Sequence, residues 1–128
     1  MGLLILPYAV DARTLFITAG TSWTVPNDWT SQNFIEVIGG GASGNGGSQA
    51  GSGGGGGGAY STTTVTGLSR GASITIQVGQ GGVNGNNGAD GTDTFFNRTG
   101  GVAGTCADTV SVCAKGGSVG TSPNGGAG

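Results

Sequence analysis

The sequence predicts an all-β fold: a small antiparallel β-sandwich carrying glycine-rich tracts in a polyproline-II-like (polyglycine II) conformation, with no α-helix. Three observations carry this expectation. No segment repeats its apolar residues with a 3.6-residue period over a useful length. Short runs of β-branched and aromatic residues alternate with glycine stretches. Within those stretches glycine returns every third residue, the repeat of a helix with three residues per turn and about 3.1 Å rise.

The strands are expected in order. Thr14 to Thr18 (Thr-Leu-Phe-Ile-Thr) and Ser22 to Val25 (Ser-Trp-Thr-Val) come first, the second closed by the turn residues Pro26-Asn27-Asp28. Asn33 to Ile38 places Phe34, Glu36 and Ile38 on one face and Ile35 and Val37 on the other. Being mostly apolar on both faces, it reads as a central strand. Ala59 to Val65 is rich in β-branched residues. The turn Gly67 to Gly71 leads into Ser73 to Val78, where Ile74, Ile76 and Val78 alternate with Thr75 and Gln77. Thr92 to Asn97 and Thr109 to Ala114 complete the set.

Between the strands run the tracts. Gly79, Gly82, Gly85, Gly88 and Gly91 share one frame. Gly41, Gly44, Gly47, Ala50, Gly53 and Gly56 share another, and Gly117, Gly120 and Gly126 a third, with Pro123 in its empty slot. One edge of each such helix is bare backbone. Ordering a residue costs roughly 1–2 kcal/mol, and glycine loses the most freedom. A lone polyproline-II helix makes no internal hydrogen bonds to offset that. Tracts packed side by side can pair their N–H and C=O groups, so the shared frame predicts a bundle of tracts and not slack loops.

Composition limits the function classes. Of 128 residues, 32 are glycine and only 3 proline, which argues against collagen. The net charge is -2, with Arg13, Arg70, Arg98 and Lys115 scattered. That leaves no electrostatic footprint for nucleic acid. There is no histidine, so no nucleophile–base pair and no zinc set can be assembled with the two cysteines. No catalytic, cofactor-binding or metal residues are assigned. Gly39 to Gly46 contains a Gly-x-Gly-x-x-Gly match without a following helix, which carries no weight. Asn86 to Asp93 faintly resembles a calcium loop but lacks its closing Glu. Asp90 and Asp93 read as turn residues that bond local backbone.

Cys106 and Cys113 are either a disulfide across a short turn, implying an oxidising location, or two small reduced thiols. Residues 1–12 form an apolar segment with no positive region before it and too few residues to span a bilayer. Leu3, Leu4, Ile5, Leu6, Tyr8 and Val10 are the candidate attachment residues, either docking on a partner or filling an ordinary core strand. Residues 13–128 form the glycine-rich β domain.

The order of elements carries a resemblance. Phe-Ile-Thr-Ala-Gly-Thr-Ser-Trp-Thr-Val-Pro-Asn-Asp-Trp (16–29) leads to Ile-Glu-Val-Ile-Gly-Gly-Gly (35–41), and a glycine run enters Gly-Gly-Ala-Tyr-Ser (57–61). Ile-Thr-Ile-Gln-Val-Gly-Gln-Gly-Gly (74–82), Asp-Gly-Thr-Asp-Thr-Phe-Phe (90–96) and Cys-Ala-Lys-Gly-Gly (113–117) follow. This resembles the glycine-rich domain of tail, fibre and accessory virion proteins of tailed bacteriophages. The resemblance spans roughly residues 13–128. It implies a structural or adhesive virion protein without catalytic residues or cofactors. Its partners would be other virion proteins and further copies of the chain, a trimer being favoured, with a host surface glycan as a further partner. Nucleic acid and membrane insertion are not expected. A bacterial cell-surface or filament-forming adhesin is the alternative. A glycan-binding module would use Trp23, Trp29 or Tyr60 for stacking, against the simpler reading of these as core aromatics.

Overall fold

The computed structural model describes residue 2 and residues 12–46, 53–83, 87–100, 104–106, 110–120 and 125–128. Among these there is no helix and there are six strands: β1 (Ser22–Thr24), β2 (Asn33–Ile38), β3 (Tyr60–Val65), β4 (Ser73–Gln77), β5 (Thr94–Arg98) and β6 (Val110–Ala114). They form a four-stranded antiparallel sheet in the order β1-β4-β5-β6 and a two-stranded antiparallel sheet, β2-β3.

The sandwich closes on side chains from both sheets. Val37 and Val65 come from the small sheet, and Ile74, Ile76, Phe96, Val112 and Ala114 from the large one. Val25 and Trp29, in the link between β1 and β2, complete the buried cluster. Trp23 packs edge-on to Trp29, with ring centroids 5.7 Å apart, and tilted against Phe96 at 5.6 Å. Such offset aromatic pairs fill a small core at low entropic cost.

Two strand expectations are corrected. Thr14 to Thr18 forms no strand; the whole run is exposed. Sequence alternation alone cannot supply a partner, and this run pairs with none of the described strands. β2 is not central either. Among the described strands it pairs with β3 alone, and its Phe34, Glu36 and Ile38 face is exposed. β4 matches its expected alternation, Ile74 and Ile76 being buried and Ser73 and Thr75 exposed.

From this sandwich six extended arms project: I (39–45), II (53–59), III (79–83), IV (87–92), V (115–120) and VI (125–128). Each of arms I, III and V continues a strand (β2, β4, β6), and arms II and IV lead into β3 and β5. The backbone hydrogen bonds reveal their geometry. Gly39, Ala42 and Asn45 of arm I donate to Ala59, Gly56 and Gly53 of arm II, while Gly40 and Ser43 donate to Thr92 and Ala89 of arm IV. Donors three apart point to the same neighbour and acceptors also step by three, as three residues per turn require. The arm I–arm II pairing continues the register of β2 against β3 without a break.

The remaining bonds fix the packing. Gly82 of arm III and Gly117 of arm V donate to Gly41 and Gly40 of arm I. Arm II meets arm V (Gly56 to Ser118, Ala59 to Lys115) and arm VI (Gly126 to Gly54). Arm IV meets arms III and V (Thr92 to Gln80, Gly91 to Gly117), and arm V meets arm VI (Ser118 to Ala127). Only one arrangement of rods satisfies these neighbours: arms III, I and II in one layer, staggered over arms IV, V and VI.

Candidate functional site

The arm lattice is built from backbone, and glycine makes it possible. In arms III and IV the expected frame is the tight one. A Cβ at Gly79, Gly82 or Gly91 would lie 2.3, 1.9 or 1.9 Å from a neighbouring backbone atom, whereas Gly88 turns with φ +65° and its Cβ would lie 2.4 Å from the Val119 side chain. Gly85 lies outside the described residues. In arm I the frame is displaced: Gly41 and Gly44 have room for a Cβ, at 3.7 and 3.5 Å, whereas Gly39 and Gly40 have none, at 2.0 Å each. The reason is position in the lattice. Arm I touches arms II, III, IV and V, so more than one of its edges must be bare.

Side chains tie the arms to the sandwich at few points. The buried Thr94 hydroxyl donates to Ile38 O at 2.5 Å and accepts from Gly79 N–H at 2.8 Å, linking β5, β2 and arm III. Asp93 accepts from Gly116 N–H at 2.9 Å through Oδ1 and from Cys106 N–H at 2.6 Å through Oδ2. Asp90 Oδ1 accepts from Val119 N–H at 2.7 Å. These carboxylates do bond backbone, but of distant segments and not of their own turns. They act as clamps between arms and the β6 region.

Cys106 and Cys113 form a disulfide with Cα atoms 5.6 Å apart. Cys113 is the cross-strand neighbour of Phe95, as is Gln77 on the other side. The Gln77 amide donates to Gly104 O and to Asp93 O. Disulfide and amide together bring the 104–106 turn to the face where Phe95 is buried. Asp93 lies near both sulfurs. The sulfurs are committed to each other and the carboxylate to two N–H groups, so this cluster is a structural clamp.

An open cleft of about 1220 Å³ lies beside β2. Residues 12–18 line one side, β2 another, and the β1–β2 link with parts of β4 and β5 its floor. Arg13 pairs with Asp28 across it at 2.8 Å, both side chains half exposed. Exposed apolar side chains gather here: Leu15 (51 %), Phe16 (88 %), Phe34 (64 %), Ile38 (66 %) and Tyr60 (56 %). The Tyr60 hydroxyl donates to the Glu36 carboxylate on the same face. That bond, then partial burial and the carboxylate's charge, raises the phenol above its ordinary pKa.

Trp29 is buried in the core, Trp23 is partly buried against it, and Tyr60 stands exposed. The candidate attachment residues Leu3, Leu4, Ile5, Leu6, Tyr8 and Val10 lie outside the described residues. Sequence reasoning did not anticipate the cleft. The apolar outer face of β2 is its visible signal, and in the sequence that face reads equally as burial in the middle of a sheet.

Backbone rods stacked on a small β-sandwich define a glycine-rich β domain. The comparison with known families agrees: the glycine-rich domain model matches residues 17–128, and the chain belongs to that family. No curated protein and no solved structure matches the chain.

Proposed function

We propose that this chain is a structural, non-enzymatic component of a tailed-bacteriophage virion: a tail fibre, tail or capsid accessory protein that aids host attachment. The observation that carries this reading is the six-arm lattice, in which backbone groups hydrogen bond between layers and hardly any side-chain chemistry is spent. Such a lattice suits a protein whose task is to hold a shape outside the cell. The Cys106–Cys113 disulfide favours the same setting, since disulfides persist in oxidising surroundings. The order of sequence motifs from Trp23-Thr-Val-Pro to Cys113-Ala-Lys-Gly-Gly, similar to that of phage virion proteins, supplies the particle.

Mass spectrometry and immunogold electron microscopy of purified particles test this reading. The chain should be present in stoichiometric amount and labelled at one place on the virion. Absence from particles together with labelling of the cell envelope would instead favour a bacterial cell-surface or filament-forming adhesin.

A further inference from the structure

We infer that the cleft beside β2 is a self-association surface and that its occupant is a second copy of this chain. Two incomplete elements meet there. The run Thr14 to Thr18 has the alternation and residue types of a strand but pairs with no described strand. β2 has a partner on one edge and none of the described strands on the other. An unpaired edge is a template for a further strand. Yet the chain's own residues 12–18, though they line the cleft, leave Leu15, Phe16, Phe34, Ile38 and Tyr60 exposed. A contiguous apolar surface of this kind marks an interaction site on a folded domain.

Charge selects the occupant. Residues 12–20 carry one charge, that of Arg13. The receiving surface carries the carboxylates of Asp28 and Glu36 beside the Arg70 guanidinium, whose Nε donates to Trp29 O, and Asp28 already takes Arg13 within one chain. The patch thus holds both halves of a complementary pair: an apolar strand-like segment with a cation, and an apolar sheet face with anions. A surface complementary to itself is what a symmetric contact between identical subunits requires. In that contact residues 14–18 of each copy cover the Phe34, Ile38 and Tyr60 face of the other. This inference stands apart from where the protein acts.

Light scattering coupled to size exclusion tests it on the full chain. The wild type should elute as a multiple of 12.2 kDa. Phe34→Asp with Ile38→Asp, two exposed positions, should elute as the monomer with an unchanged far-ultraviolet circular dichroism spectrum. Arg13→Glu sets an acid against Asp28 and Glu36 and should weaken association by about tenfold or more. A monomeric wild type overturns the inference. So does unchanged association in either variant.

Discussion

Gly91 and Gly40 meet backbone to backbone: a Cβ on Gly91 would lie 1.9 Å from Gly40 O. The contact joins arm IV to arm I, which like arm V has four neighbours in the lattice. Gly57, in arm II, has no atom within 4 Å of the same position. Gly91→Ala should therefore lower stability by about 3 kcal/mol, since rigid backbone cannot yield to the methyl. Gly57→Ala should raise it by about 0.5 kcal/mol by restricting the unfolded chain. Urea denaturation of the two variants checks the contrast.

Asp93 holds two N–H groups, from Cys106 and Gly116. Asp93→Ala leaves both donors without their acceptor and should cost about 2–3 kcal/mol. Asp93→Asn keeps one oxygen and should fall between that variant and the wild type. Thermal unfolding monitored by circular dichroism separates the three.

The disulfide closes a short ring, its cysteines seven positions apart. Loop-closure entropy for such a ring is about 2.5 kcal/mol. The double variant Cys106→Ala, Cys113→Ala should lose about that much in denaturant titration. Reductant should lower the midpoint of the wild type and leave that of the double variant unchanged.

Tyr60 should titrate above its ordinary value of 10.0 because its hydroxyl is donated to Glu36. The neutral phenol makes the bond, so its stabilising contribution is full below the ordinary tyrosine pKa. It disappears as pH rises through the raised value. Glu36→Gln should bring the titration back towards 10.0. Ultraviolet absorbance in a Tyr8→Phe background, where Tyr60 is the remaining tyrosine, measures both.

Much of the fold was legible in the sequence, and for physical reasons. β4 declares itself through Ile74 and Ile76 alternating with polar neighbours, and arms III and IV through Gly79, Gly82, Gly88 and Gly91. Local rules suffice where one face of an element is covered. They fail where coverage depends on the rest of the fold. The apolar outer face of β2 could equally mean a central strand or an exposed patch. Thr14 to Thr18 has strand chemistry, but a strand also needs an edge to join. In arm I the tight glycines are Gly39 and Gly40 and not Gly41 and Gly44, because the number of neighbouring rods decides which edges must be bare. The apolar cleft was hidden for the same reason, as Leu15 and Ile38 are far apart in sequence and come to line one cleft only once the sheets are placed.

The hydrogen bonding of arm I, stepping by three to arm II and by three to arm IV, sets a rule for how this protein can change length. A one-residue insertion in an arm would turn every later donor towards the wrong neighbour. Three residues added to each arm of a hairpin would restore every direction and extend the lattice by about 9 Å. Relatives of this chain should therefore differ in arm length by whole turns, in matched pairs. The lattice behaves as a ruler graduated in single helical turns.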